Sequence, residues 1–154
     1  MKVVADTSVL NYLILIGTIE LLPYLFKKIN IPHAVFKELT HEQTPNVVRE
    51  FIKTNPNWLE IHKIEKSYDE KLSMLHKGER EAIILAKKIN ADLILLDDWE
   101  SRVAAKSCGL KVSGLLKILE LGDIRQQINL PQTLKKLSQT IVMEGIEGTE
   151  YLTD

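Results

Sequence analysis

Apolar positions along this chain keep changing their period, and the changes mark out elements. Residues 2–5, KVVA, form a short run rich in β-branched side chains and ended by polar Asp6-Thr7-Ser8, the pattern of a strand covered on both faces. Helical text follows to about residue 27, broken near Gly17 and Thr18. INI at 29–31 reads as a second strand, and PHAVFKEL then opens a helix with Pro32 at its first turn, where a missing N–H costs little. Residues 45–54, PNVVREFIKT, are a further helix opening on proline. WLEIHKI at 58–64 alternates apolar and polar residues, as a half-exposed edge strand does.

The stretch 67–90 contains two helices, the second over about 79–89 with Ala82, Ile83, Leu85, Ala86 and Ile89 turned to the core. The almost wholly apolar text of 92–96 predicts a strand buried on both sides. WESRVAAKSCG is a helix stopped by Gly109, LKVS a short strand, and GLLKILELG a helix stopped by Gly122. After a loop around DIRQQINLP, residues 131–143 make a last helix, leaving 144–154 as a weakly ordered tail. Strand and helix alternate without repeat or linker. The expected fold is therefore a single three-layer α/β/α domain over 1–143 with a mostly parallel central sheet.

Composition narrows the function only a little. At 154 residues the chain suits one domain and one compact core, and its 45% hydrophobic and 27% charged fractions are ordinary. The formal net charge of −1 excludes a global attraction for polyanions or anionic membranes, so any nucleic-acid role must be local. The single cysteine, Cys108, excludes an internal disulfide and a cysteine zinc site and fits a reducing, cytoplasmic setting. Asp6 interrupts the first apolar run too early for a signal peptide. The apolar run 9–26 carries Asn11, Gly17, Glu20 and Pro23, short of the roughly 20 clean residues a membrane span needs.

The carboxylates change the picture more. Asp6 ends the first strand, and Asp97 and Asp98 end the strand at 92–96, so all three lie at carboxyl ends of strands. In open α/β sheets that edge carries the ligand crevice. Glu79 and Glu81 open a helix that precedes a parallel strand, and Glu38 lies in a helix that follows one, which brings them to the same edge. Singly, each acid has an ordinary explanation: Asp6 and Asp98 as helix caps, Glu79 and Glu81 as partners of a helix dipole, Glu38 as a solvated side chain. Gathered in one crevice they would repel one another unless a cation entered. Oxygen donors without clustered histidine or cysteine suit Mg2+ or Mn2+ better than zinc, and His33, His41, His62 and His76 show no ligand spacing.

Four segments in order, VVADTSVLNYL, IPHAVFKEL, GEREAIILA and LILLDDWESRVAAKSCGLKVSGLLKIL, resemble the PIN domain, the nuclease fold named for the PilT N-terminus. The resemblance covers about residues 1–120, is closest to an uncharacterised prokaryotic PIN subfamily, and is similar to VapC-type toxins. It implies Asp6 and Glu38 as the first two metal-binding acids, and Glu79 as the third with Glu81 an additional or alternative ligand. Asp98 aligns with the last acid, and Asp97 is the one-residue alternative. Thr7 or Ser8 would hydrogen-bond Asp6, and Arg102 would hold a carboxylate or contact phosphate. Many toxin-type members carry aspartate at the third position, where this chain offers glutamates.

The resemblance implies a divalent-metal-dependent endoribonuclease acting on single-stranded or structured RNA. Phosphodiester hydrolysis needs a hydroxide, neutralised non-bridging oxygens and help for the departing alkoxide, all of which one or two divalent ions supply. Lys37, Lys77, Arg80, Arg102 and Lys106 are expected to rim the crevice and restore attraction for phosphate. Likeness to toxins implies a small antitoxin covering the site and a homodimer through apolar helices near 10–26 or 114–121. The rival reading is a non-catalytic PIN fold that binds RNA or protein. A receiver domain or a haloacid-dehalogenase phosphatase fits less well, because neither an acidic pair nor Asp-x-Asp follows the first strand.

Overall fold

The computed structural model describes residues 1–65 and 69–143. Five short strands form one parallel sheet: β1 (Val3–Ala5), β2 (Ile29–Pro32), β3 (Leu59–His62), β4 (Leu93–Leu95) and β5 (Val112–Ser113), in the order β3-β2-β1-β4-β5. From β1 the chain steps outward through β2 to β3, then crosses back to build β4 and β5 on the other side of β1. The order reverses between β1 and β4, and a ligand crevice is expected outside the carboxyl ends of those two strands. Registry there is tight: Ala5 pairs with Leu95, and the Asp6 amide extends the ladder by donating to the Leu95 carbonyl at 3.1 Å.

Among the described residues eight helices cover the faces: α1 (Thr7–Leu15), α2 (Leu21–Phe26), α3 (His33–Leu39), α4 (Asn46–Lys53), α5 (Lys77–Lys88), α6 (Trp99–Ser107), α7 (Leu115–Ile124) and α8 (Leu130–Met143). Period-two alternation splits the core into two layers. Val3 and Ala5 point with Leu10, Leu13, Ile31 and Leu119 into one, while Val4, Ile94 and Leu96 point with Ile83 and Leu85 into the other. The single core expected from length is thus two apolar layers separated by the sheet, the three-layer α/β/α arrangement.

Two expectations are corrected. In place of the first helix of 67–90, the described residues hold one 3-10 turn, Glu70–Leu72, because only Leu72 and Leu75 are buried there and that i, i+3 pair needs no more than a turn. Helix α7 does not stop at Gly122 but runs on to Ile124; a Cβ at Gly122 would lie 2.8 Å from Leu21, so this glycine serves close helix contact and not a cap. Among the described residues no helix is long and apolar enough to cross a membrane. The expected tail at 144–154 lies outside them.

Candidate functional site

A cleft of about 620 Å³ opens at the reversal point, and its walls come from five places in the chain. Asp6, Thr7, Ser8, Asn11 and Tyr12 enter from the start of α1, Glu38 from α3, His76 and Glu79 from the start of α5, and Asp98 from the cap of α6; Gln43, Thr44 and Pro45 of the α3–α4 loop close one side. Helices that follow β1, β2 and β4 begin at the carboxyl edge, and α5, which leads into β4, begins there as well. Parallel topology therefore carries their first turns to one rim, and Glu38 joins it from the last turn of the short α3.

Asp6 is the deepest of the acids, only 4% exposed. It sits at the N-cap of α1 yet its side chain makes no capping bond, and Oδ1 is buried without a hydrogen-bond partner. Burial, reinforced by repulsion from Glu79, Glu38 and Asp97, pushes its carboxyl up to about 8. Glu38 is held by two donors: the Thr7 hydroxyl to Oε2 and the Gly78 amide to Oε1 at 3.1 Å. A Cβ at Gly78 would stand 2.5 Å from Glu38 Oε1, so glycine is what lets the start of α5 come this close.

Glu79 and Asp98 are joined through Ser101, which is wholly buried. The Ser101 hydroxyl lies within hydrogen-bonding reach of Glu79 Oε2 and of Asp98 Oδ2, and its backbone amide donates to Asp98 Oδ2 at 3.1 Å. Asp98 accordingly caps α6 and lines the cleft at once. Burial raises the Glu79 carboxyl above its ordinary value, with Asp98 and Glu38 adding repulsion, against relief from the Ser101 bond and from His76.

Three expected site residues do not line the cleft, although the charge of Asp97 still bears on Asp6. Glu81 is buried two residues beyond Glu79 on α5, where Lys77 approaches it at 3.9 Å, and it does not line the cleft. Asp97 Oδ1 accepts from the Leu115 amide at 2.8 Å and so anchors the start of α7. Arg102 donates to the Leu96 carbonyl at 3.1 Å, and both Arg102 Nη1 and Asp97 Oδ1 occupy the space a Cβ at Gly114 would need. A one-residue step along extended backbone turns a side chain to the opposite side, which separates Asp97 from Asp98. Of the five basic residues expected at the rim, Lys37 flanks the cleft in an adjoining hollow with Glu38 and His41, Lys77 reaches toward Glu81, and Arg80 donates to the Leu75 carbonyl at 3.3 Å.

Sequence reasoning missed Asn11, Tyr12, His76 and Ser101. Asn11 and Tyr12 stand four residues after Thr7 and Ser8, one helical turn, so their spacing was a usable signal. Ser101, at the third position after its cap, was another. His76 and the 43–45 loop offered none.

A family profile described as PIN domain matches residues 2–144. This chain belongs to the PIN-domain family. PIN domains are a nuclease-type fold and typically use divalent metals. A solved structure similar to the chain is described as a domain of a functionally unknown protein from Methanocaldococcus jannaschii DSM 2661; the two share 23% identity over 74% of this chain and 90% of that one, with a TM-score of 0.48. No curated protein matches.

Whether this PIN domain suits a metal can be judged on its own atoms. Among the described residues, no three His, Cys, Asp or Glu side chains converge closely enough to hold an ion as they stand, because Glu38 and Glu79 are turned onto hydroxyl donors. The donor chemistry nevertheless fits: every acid lining the cleft offers hard oxygen, and the unpartnered, buried Asp6 Oδ1 is an atom that a cation would satisfy.

Proposed function

We propose that the chain is a divalent-metal-dependent endoribonuclease of the PIN type. The observation that carries this reading is the buried Asp6 carboxyl, whose Oδ1 has no hydrogen-bond partner, in a cleft whose other acids are Glu38, Glu79 and Asp98. Asp6, Glu38, Glu79 and Asp98 would hold Mg2+ or Mn2+, which when bound supplies a hydroxide nucleophile, neutralisation of the phosphoryl oxygens and help for the departing alkoxide. The chain's own part is orientation. Thr7 and Gly78 fix Glu38, Ser101 fixes Glu79 against Asp98, and the 43–45 loop walls one side of the cleft. Lys37, in the hollow adjoining the cleft, would reduce the repulsion that four acids exert on phosphate.

On the same reading the chain acts on RNA as the toxin of a toxin–antitoxin pair, with an antitoxin segment covering the cleft and homodimerisation through apolar helices. What supports those partners is the likeness of its motifs to VapC-type toxins. The second reading, a non-catalytic PIN fold that binds RNA or protein, draws on the hydroxyl bonds that hold Glu38 and Glu79 away from a shared centre. Incubating the protein and Asp6→Asn with a mixed RNA pool and manganese separates the two: the proposal expects cleavage by the first alone, and equal cleavage by both overturns the site.

A further inference from the structure

Beside the cleft lies a groove of about 360 Å³ that the proposed reaction does not use. Three large apolar side chains are exposed along it, Met74 at 85%, Trp99 at 71% and Val103 at 48%, over a floor of Leu75 and Ala104 and between the charged Lys71 and Glu100. Three large apolar side chains left in water at one place ask for an explanation. The groove and the cleft share no lining residue, but two separate segments pass from one to the other in a single chain step. Leu75 lines the groove and the next residue, His76, lines the cleft; Asp98 lines the cleft and the next residue, Trp99, lines the groove.

We infer that this groove holds one unstacked base of a single-stranded RNA whose scissile phosphate lies in the cleft, with Trp99 as the stacking surface; this rests on the ribonuclease reading above. Within the cleft Tyr12 is only 2% exposed and the exposed ring is the small imidazole of His76, whereas Trp99 presents an indole face. Lys71 and Glu100 flank the groove with opposite charges, so its attraction is for an apolar face and not for phosphate. A duplex keeps its bases stacked on one another and cannot present one to Trp99, which makes the subsite selective for single strands.

The test uses the full chain, a fluorescent single-stranded RNA of mixed sequence, the same RNA as a duplex, and calcium as the divalent ion, with affinity read by anisotropy. Trp99→Ala is expected to weaken single-strand binding about tenfold, the loss of one base–aromatic stack, while Trp99→Phe keeps most of it and duplex binding moves with neither. Unchanged single-strand affinity in Trp99→Ala overturns the inference, as does an equal loss on duplex. A change in oligomeric state with no change in RNA affinity also overturns it and assigns the groove to a second copy. If Asp6→Asn cleaves RNA in manganese as well as the unaltered protein while the single-strand-specific loss at Trp99 persists, the ribonuclease reading fails and the base subsite stands. If the unaltered protein binds no RNA, both fail.

Discussion

At the scale of single residues, Asp6 has the clearest consequence. Its carboxyl is raised from 3.8 to about 8, chiefly by burial, so between those values the folded protein keeps a proton that the unfolded chain has released. Bound protons in excess on the folded side mean that metal-free stability falls as pH rises through this window. Thermal melts in chelator from pH 4 to pH 8 should show the midpoint dropping in the unaltered protein and staying flatter in Asp6→Asn. Parallel curves would refute an uncompensated charge at this position. Gly78 makes a different prediction. Alanine there gains up to about 1 kcal/mol of helix propensity, yet its methyl would strike the Glu38 carboxylate. Gly78→Ala should leave the melting temperature near its original value and lower RNA cleavage roughly 10- to 100-fold, since small displacements of positioned groups are costly to rate.

At the scale of an element, α6 has to begin where the site ends. Asp98 gives one oxygen to the Ser101 amide as a cap and faces the cleft with the same carboxylate, so structure and chemistry can be separated by choice of substitution. Asparagine caps a helix as well as aspartate does, whereas alanine loses about 1 kcal/mol. Urea unfolding should therefore find Asp98→Asn close to the unaltered protein and Asp98→Ala weakened by about that amount, with RNA cleavage abolished in both. Retained cleavage in Asp98→Asn would remove this residue from the site. The neighbouring Asp97 illustrates why adjacent acids differ: its Oδ1 accepts from the Leu115 amide at the first turn of α7.

At the scale of the whole molecule, folding and metal binding are linked. A divalent ion that binds only the folded form stabilises it by about 2.7 kcal/mol at a hundred times its dissociation constant. Manganese should raise the melting temperature of the unaltered protein in a saturable way and leave Asp6→Asn unmoved; no rise in either would argue for the non-catalytic reading. The two apolar layers should fail together, because they share one short-stranded sheet: Ile83→Ala, on the layer opposite Leu10, is expected to cost about 2–5 kcal/mol in a single cooperative transition. Much of this architecture was legible beforehand. The runs at 2–5, 29–31 and 92–96 are too short and too apolar to be anything but covered strands, and alternation with helices then leaves a parallel sheet. Period and punctuation, both local, therefore settled the class of fold, the order of its elements and the edge of the sheet at which the acids gather. Which of two neighbouring acids enters the cleft was beyond them: Glu79 or Glu81, Asp98 or Asp97 depends on the direction a side chain takes once helix meets sheet, and that is decided by contacts with Ser101, Lys77 and Leu115, residues brought near by the folded chain.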